Sequence, residues 1–373
     1  MSPQRPHHSS LDFEVHRDDL GRTRVVEAAL PDPLPAGSAL LAVRSFAFTA
    51  NNITYAVVGE SLGYWRFFPA PEGWGRIPVW GFADVVASRA EGVAEGERVF
   101  GYLPMSSHLL VEPRGAGPAG FTDGAAHRAG LPAAYNLYTA TREDPLFARD
   151  REPFLALLWP LFVTSFLLDD FLADGDFFGA ETVILSSASS RTAIALAFLL
   201  SRREGARPEV AGLTSERNWS FVAKLGCYDR TLVYEELPAL DPSRPATFVD
   251  FAGNAGLTRA VHEHFGPALR HSARVGLTHF ERAGETGGLP GPEPTFFFAP
   301  ARIAERVAAW GADGLRERQA AAWEQFLPFV EGWLRIERGA GPAAVERVYR
   351  EVLGGRSRPD TGPVLSLLPD ASS

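Results

Sequence analysis

The stretch Val183-Ile-Leu-Ser-Ser-Ala-Ser-Ser-Arg-Thr-Ala-Ile-Ala-Leu-Ala197 decides the fold. Its first three residues are large and apolar, which predicts a buried strand, and small residues follow in a tight turn. From Thr192 onward, apolar residues predict a helix. The connection, Ser186-Ser-Ala-Ser-Ser-Arg191, contains no glycine. A strand, a tight turn and a helix in this order predict the first unit of a parallel sheet covered by helices.

The residues on either side repeat this alternation of strands and helices. The pattern predicts strands over residues 182–185, 209–213, 231–234, 246–251 and 272–277, and helices over 153–172, 192–203, 217–225 and 257–265. Because crossovers between parallel strands are right-handed, the predicted fold of this region is a doubly wound α/β sheet.

The flanking segments have other patterns. Residues 11–115 read as short strands, including 39–45, 79–88 and 97–102, which is typical of a small β-barrel or sandwich. Residues 115–150 are rich in Gly, Pro and Ala and predict a long loop or an excursion between domains. The last part predicts helices over 303–310, 316–330 and 343–353 and a strand over 364–368. We therefore expect domains over 1–150 and 151–315, followed by a C-terminal segment over 316–373.

Composition and charge exclude several classes of protein. The 373 residues are 46% hydrophobic and carry a net charge of −9, with no dense Lys/Arg block, so nucleic acid and anionic membranes are poor partners. The apolar segment 153–172 contains Pro160, Asp169 and Asp170, which favours a buried helix over a membrane span. Cys227 is the only cysteine, so neither an internal disulfide nor a cysteine-based zinc site is available, and no metal is expected. With no apolar signal region at the N-terminus, we expect a cytoplasmic protein.

The turn after the first strand has two interpretations. A phosphate loop exposes backbone N–H groups at a helix N-terminus, and glycines normally let it turn tightly. Alignment with a G-x-x-G-x-x-G loop puts the small residues Ser187, Ser190 and Ala193 at the glycine positions. Hydroxyls and one positive charge add further donors to phosphate, and the candidates are Ser187, Ser189, Ser190, Arg191 and Thr192. Alternatively, these serines and threonines merely cap the helix.

The end of the next strand favours one cofactor over another. Arginine and hydroxyls at this position suit the 2′-phosphate of NADP, whereas an acidic residue selects NAD. Thr214, Ser215 and Arg217 fit NADP, so NADPH is favoured over NADH, although Glu216 between them opposes the assignment. The alternative is an ordinary serine cap followed by a solvated arginine.

The ends of the later strands add further candidates at the same edge. Gly253 and Asn254 follow the strand over 246–251, and glycine there lets the chain pass close to a ligand. Thr278 and His279 follow the strand over 272–277.

Three motifs outside the predicted sheet are shared with a known superfamily. Gly92-Val-Ala-Glu-Gly-Glu-Arg-Val-Phe-Gly101 is similar to a G-x-x-x-G-D-R-V turn, and Ala50-Asn-Asn-Ile-Thr-Tyr55 lies where an Asn-containing substrate-side helix begins. Thr164 is similar to a threonine that contacts the cofactor. These motifs resemble the medium-chain dehydrogenase/reductase superfamily, in its zinc-free quinone- and enoyl-reductase branch.

A narrower resemblance rests on four blocks. They are Tyr135-Asn-Leu-Tyr138, Pro160-Leu-Phe-Val-Thr-Ser-Phe-Leu-Leu-Asp-Asp-Phe171, Ser186-Ser-Ala-Ser-Ser-Arg-Thr-Ala193 and Leu225-Gly-Cys-Tyr-Asp229. Together they are similar to the family known as DUF2855. The two resemblances imply a Rossmann-like domain and an N-terminal GroES-like β-barrel domain on the substrate side, which the C-terminal segment completes. They also allow a homodimer.

The chemistry expected of such a protein is hydride transfer from NADPH to a carbonyl or an activated C=C bond, as in an enone, a quinone or an enoyl thioester. A neutral tyrosine or histidine, or a protonated water, then supplies the proton. Tyr55, with Asn52 beside it, is the first candidate, followed by His279 and Tyr138. Each has a structural alternative, as a half-buried aromatic residue or a histidine bonded to backbone.

The expected substrate is small and apolar or aromatic, because aromatic residues are dense in the presumed substrate region. They are Tyr64, Trp65, Phe67, Phe68, Trp74 and Trp80. An aromatic core explains most of them equally well. Two hypotheses stay open: an NADPH-dependent, zinc-free oxidoreductase, and a non-redox enzyme or a ligand- or partner-binding protein on a degenerate form of this fold.

Overall fold

The computed structural model describes residues 9–142, 145–205, 207–275 and 288–369, which form two compact units. The first unit combines Met1–Leu157 with Arg335–Ser373, and the second is Leu158–Leu334. The return to the first unit therefore begins at Arg335, later than the predicted boundary at 316.

The elements are numbered in chain order. The strands are β1 Ser9–His16, β2 Asp19–Ala29, β3 Ala39–Ala47, β4 Trp74–Gly75, β5 Pro78–Ser88, β6 Arg98–Pro104, β7 His108–Val111, β8 Pro113–Gly117, β9 Gly120–Asp123, β10 Leu137–Ala140, β11 Thr182–Leu185, β12 Glu209–Thr214, β13 Arg230–Val233, β14 Ala246–Asp250, β15 Leu269–Arg274, β16 Thr295–Phe296, β17 Arg335–Ala340 and β18 Thr361–Ser366. The α-helices are α1 Ala50–Val57, α2 Glu152–Asp174, α3 Arg191–Ser201, α4 Glu216–Leu225, α5 Ala255–Phe265, α6 Ala299–Glu331 and α7 Gly341–Leu353.

The first unit is built on two β-sheets. One has the order β2-β1-β4, and the other has the order β17-β18-β3-β5-β6-β10-β9-β8 with β7 paired to β3. The C-terminal strand β18 runs antiparallel to β3, with Val364 opposite Ala47. Tyr349 of α7 packs its ring 5.2 Å from that of Phe13, so the C-terminal segment completes the core of this unit.

The prediction of a long loop over 115–150 is wrong in part. Strands β8, β9 and β10 take up residues 115–117, 120–123 and 137–140 of this segment and extend the large sheet. They are short and carry Gly, Pro and Ala in place of alternating large apolar residues, so the period-2 signal is weak. Gly120, at the start of β9, has φ 119, and a Cβ atom there would lie 1.9 Å from the carbonyl oxygen of Tyr138 in β10. Only glycine fits this close approach.

The second unit contains the predicted doubly wound sheet. Its six strands have the order β13-β12-β11-β14-β15-β16, and every pairing is parallel. Val183 of β11 is paired with Val210 of β12 on one side and with Thr247 of β14 on the other. The strand order reverses between β11 and β14, and doubly wound sheets bind ligands at the carboxyl ends of strands at such a reversal.

Two long helices, α2 and α6, lie mainly in the second unit. Helix α2 is long and apolar enough to cross a membrane by length and composition alone, but such a helix is also typical of a protein core. Its Phe162 packs within 5.2 Å of the Trp323 ring and 5.1 Å of the Phe326 ring, which is core packing. Helix α6 replaces the two helices predicted over 303–310 and 316–330, and Gly311, at φ 75, kinks it between them.

Candidate functional site

The loop between β11 and α3 adopts the conformation that glycine normally supplies. Ser187 has φ +48, in the left-handed region. Its carbonyl oxygen accepts a hydrogen bond of 2.7 Å from the N–H of Ser190, which closes the turn before the helix. The N–H of Ala188 donates to the carbonyl of Leu213 at 2.9 Å, which ties the loop to β12. The chain therefore makes a tight turn between β11 and α3 without glycine.

A glycine on the neighbouring strand, Gly212 of β12, leaves the space into which this turn packs. A Cβ atom at Gly212 would lie 2.7 Å from the Tyr228 ring and 2.9 Å from the Cβ of Ala188. Its absence lets Ala188 pack directly against β12, where Ala188 is fully buried. The Tyr228 hydroxyl donates to the Ala188 carbonyl at 2.8 Å and holds the loop from the other side. This packing offsets the strain at Ser187.

The loop's serine hydroxyls have acceptor roles within the protein. Ser190 is the N-cap of α3, and its Oγ accepts from the N–H of Ala193 at 3.3 Å, so the capping interpretation is correct for this residue. The Oγ of Ser189 accepts from the Nδ2 of Asn218 at 2.9 Å. A hydroxyl that accepts still has its own hydrogen to donate. Capping and phosphate binding are therefore compatible here.

The first turn of α3 is electropositive. Burial lowers the pKa of the Arg191 guanidinium to about 10, which leaves it charged at neutral pH. Thr192 follows it and is half-buried, and its carbonyl accepts a hydrogen bond of 2.8 Å from Ser165 of α2. The positive end of the helix dipole adds to the Arg191 charge, so this turn favours an anion.

At the end of β12, polar side chains make few bonds to the described part of the chain. Thr214 is 1% exposed, and its Oγ1 has no hydrogen-bond partner among the described residues. Ser215 is the N-cap of α4, at φ −77, but its side chain makes no capping bond. Arg217 is exposed in the first turn of the same helix, next to the exposed Glu216.

Sequence reasoning missed the residues that join the strand ends. Asp250, at the end of β14, is 2% exposed and accepts a 2.6 Å hydrogen bond from Ser186 at the end of β11. Its Oδ1 also accepts from the N–H of Gly253 at 3.2 Å, and Gly253 has φ +62. Asn254 caps α5, with its Oδ1 accepting from Leu257 at 3.1 Å. An acid at the end of an otherwise apolar strand was the available signal.

Three further candidates were expected at the cofactor or substrate, and the structure describes one of them. Thr164 donates its hydroxyl to the carbonyl of Pro160 at 3.1 Å, one turn earlier in α2, which leaves its oxygen free only to accept. Thr278 and His279 lie outside the described residues.

Tyr55, the first candidate for the proton donor, lies in the first unit. It is half-buried in α1, and its oxygen accepts from the Nδ2 of Asn51 at 2.8 Å. No described residue accepts from its hydroxyl. Burial raises its pKa, and the nearby Tyr135 hydroxyl raises it further, so Tyr55 is neutral at physiological pH.

Asn52 and Tyr138 are held in structural roles. Asn52 is buried, and its side chain caps α1 through Thr49 and donates to the carbonyl of Pro78 at 2.9 Å. Tyr138 is fully buried and donates to the carbonyl of Tyr102 at 2.7 Å. The Tyr138 oxygen also accepts from the Nη2 of Arg128 at 3.1 Å, so both side chains are held by bonds within the first unit. A part for either of them in catalysis stays a prediction.

No group of three or more His, Cys, Asp or Glu residues that could hold a metal ion occurs among the described residues. Cys227 is buried, as the sequence indicates, and burial raises the pKa of its thiol to about 12.

The fold defines the class of protein. It is the medium-chain dehydrogenase/reductase fold, with a Rossmann-like parallel sheet and a GroES-like β-rich unit. CurA from Vibrio vulnificus is similar to the chain at a TM-score of 0.62 and 14% identity, covering 96% of this chain and 99% of that one. CurA in complex with NADPH gives 0.61 and 14%, with coverage of 95% and 97%. A putative NADPH:quinone reductase from Mesorhizobium loti gives 0.59 and 11%, with coverage of 97% and 100%.

The family follows from the sequence. Residues 46–358 match the family described as "Protein of unknown function (DUF2855)", and the chain belongs to this family. A comparison with curated proteins finds no match.

Proposed function

We propose that this protein is an NADPH-dependent oxidoreductase that reduces a carbonyl or an activated C=C bond in a small apolar or aromatic substrate. The observation that carries the proposal is Ser187 at φ +48, three residues before Ser190, which caps the N-terminus of α3. A non-glycine residue keeps this conformation only where the surrounding structure imposes it, and such strain is concentrated at functional sites. The similarity in fold to CurA, which binds NADPH in one of its structures, supports the same reading.

The residues at the carboxyl edge of the sheet fit a dinucleotide. The N-terminus of α3, with Arg191 and the hydroxyls of Ser189 and Ser190, would hold the pyrophosphate. Arg217 and Ser215, which are not used within the fold, would hold the 2′-phosphate. The buried, unpartnered Oγ1 of Thr214 would gain a partner from the bound ribose.

The chemistry divides between the cofactor and the chain. When bound, the reduced nicotinamide supplies the hydride. Tyr55 donates the proton, because its oxygen accepts from Asn51 and its own hydrogen has no acceptor among the described residues. Its raised pKa keeps the proton on the hydroxyl until the substrate oxygen becomes basic.

Titration of the purified protein with NADPH and NADH, by fluorescence or calorimetry, tests the proposal. We expect saturable binding of both and tighter binding of NADPH. Arg217→Glu should weaken NADPH binding by about tenfold or more, because a charge-assisted contact is lost and a repulsion is introduced, while NADH is affected little. Lys224→Glu, which makes the same charge change in the last turn of the same helix, is the matched control and should alter neither.

The outcomes separate the two hypotheses. Absence of saturable binding of either nucleotide rejects the redox proposal and leaves a ligand- or partner-binding protein on this fold. Nucleotide binding that Arg217→Glu does not shift from NADPH toward NADH rejects the 2′-phosphate assignment alone.

A further inference from the structure

The second unit contains a cavity of about 360 Å³, named here the amino-edge pocket. It is lined by residues within 198–202 and 225–229, together with Arg207 and Phe329. These residues belong to the end of α3, the end of α4 and the segments before β12 and β13, so the pocket lies at the amino ends of the parallel strands.

The amino-edge pocket is separate from the proposed nucleotide site. The β11–α3 loop lies at the first turn of α3, whereas the pocket lies at its last turn. Because α3 has 11 residues, about 16 Å of helix separates the two. The cavity has the size of pockets that hold one small molecule. It is therefore a candidate for a ligand other than the nucleotide.

One wall of the amino-edge pocket is apolar. The rings of Phe198 and Phe329 lie 4.9 Å apart, and Leu225 and the buried Cys227 belong to the same lining. Phe329 and Leu225 are half-buried, so part of this wall is open to solvent. An apolar group that binds here removes its own surface and the surface of the wall from water, which is favourable.

A positive charge lies beside the apolar wall. The guanidinium carbon of Arg202 lies 5.3 Å from the centre of the Phe198 ring. The Arg202 side chain makes no hydrogen bond or ion pair with the described residues, so its five N–H donors are available. A guanidinium presents these donors in a planar fork that matches the two oxygens of a carboxylate.

The other charges at the amino-edge pocket largely cancel. Asp229 is the acid among its lining residues, and Arg207 neutralises that carboxylate through hydrogen bonds of 2.6 and 2.8 Å. Helices end here, and a helix C-terminus disfavours an anion. In α3 this effect is reduced, because the Phe198 carbonyl accepts from the Ser201 hydroxyl at 2.7 Å and from the N–H of Arg202 at 3.2 Å. The lining side chains therefore carry one net positive charge.

We propose that the amino-edge pocket binds a small carboxylate with an apolar, ring-sized body. Arg202 pairs with the carboxylate, and the body packs against Phe329 and Leu225. The charge selects the anion and the wall selects the apolar body, so neither a neutral ring compound nor a small polar anion satisfies both. The site is independent of nucleotide binding and goes beyond the proposed function.

Calorimetric titration with 2-naphthoate, without any nucleotide, tests the proposal. We expect saturable binding to one site. 2-Naphthamide has the same rings without the charge and should bind about fivefold more weakly, the effect of losing an ion pair that solvent partly screens. Acetate has the charge without the rings and should bind at least about a hundredfold more weakly, because it buries little apolar surface.

A substitution assigns the charge. Arg202→Gln, at an exposed position that the fold tolerates, should weaken 2-naphthoate binding by about fivefold and leave 2-naphthamide binding unchanged. Lys224→Gln is the matched control, since it removes the same charge from the last turn of α4 at a residue that does not line the pocket. It should leave the binding of both probes unchanged.

Hydrogen exchange places the probe. 2-Naphthoate should slow amide exchange in peptides covering residues 198–202 and 225–229 and leave residues 186–193 unaffected. The inference is overturned by no saturable binding of 2-naphthoate, by equal binding of 2-naphthamide or acetate, by unchanged affinity in Arg202→Gln, or by protection confined to other peptides. Because no arm contains NADPH, failure here leaves the nucleotide titration unaffected, and failure of that titration leaves this site standing.

Discussion

Replacing Ser187 with glycine should stabilise the protein, although glycine ordinarily destabilises. The left-handed conformation at φ +48 costs a non-glycine residue roughly 1–2 kcal/mol. Glycine removes that cost but is more flexible in the unfolded chain, which costs about 0.5–1 kcal/mol. The net expectation for Ser187→Gly is a gain of about 0.5–1 kcal/mol in the free energy of unfolding.

The matched control is Ser215→Gly at the same edge of the sheet. Ser215 has φ −77 and makes no capping bond, so glycine brings only its flexibility and should cost about 0.5–1 kcal/mol. The two variants should therefore differ by about 1–2 kcal/mol, or by a few degrees in Tm, at about 2–4 °C per kcal/mol for a unit of this size. Urea unfolding without nucleotide measures the difference. If the Ser187→Gly variant loses as much free energy of unfolding as the Ser215→Gly variant, Ser187 does not adopt a strained backbone conformation.

Three further outcomes are expected. Tyr55→Phe should lower the rate of substrate reduction by about a hundredfold or more without changing NADPH affinity, because it removes the proton donor alone; an unchanged rate would assign the proton to another group. Tyr102→Phe should leave the free energy of unfolding unchanged or raise it, whereas Tyr349→Phe should lower it by about 1–3 kcal/mol by leaving the Leu20 carbonyl without a partner; equal losses in the two variants would mean that the Tyr102 hydroxyl has a partner. Four tyrosines of the first unit have raised pKa values in the folded state: Tyr55, Tyr64, Tyr102 and Tyr135. Their contribution to the free energy of unfolding is therefore fully present below about pH 10, the pKa of tyrosine in the unfolded chain, and is lost as pH rises above it. Tyrosinate absorbance should therefore rise together with alkaline unfolding, and a rise that precedes unfolding would contradict this.

The sequence predicted the sheet of the second unit well, because its signals are local. The apolar run at residues 182–185 matches β11, and helix 192–203 was predicted within two residues of α3 at each end. Strands β8 to β10 were missed because short Gly- and Ala-containing strands lack alternation and depend on their neighbours in the sheet.

The site was less predictable because its decisive features depend on distant contacts. Ser187 rarely adopts positive φ by itself, and it does so here because Gly212 lets Ala188 pack against β12. The bond from Ser186 to Asp250 spans 64 residues, and no local pattern indicates it. The ring contacts of Tyr102 with Tyr55 and Tyr135 likewise form only when α1, β6 and the segment before β10 come together.

Hydrogen exchange of the β11–α3 loop tests the central claim most directly. Saturating NADPH should slow amide exchange in peptides covering residues 186–193, because the backbone N–H groups at the start of α3 bind the pyrophosphate. NADPH that binds without protecting these amides, while protecting others, would contradict it.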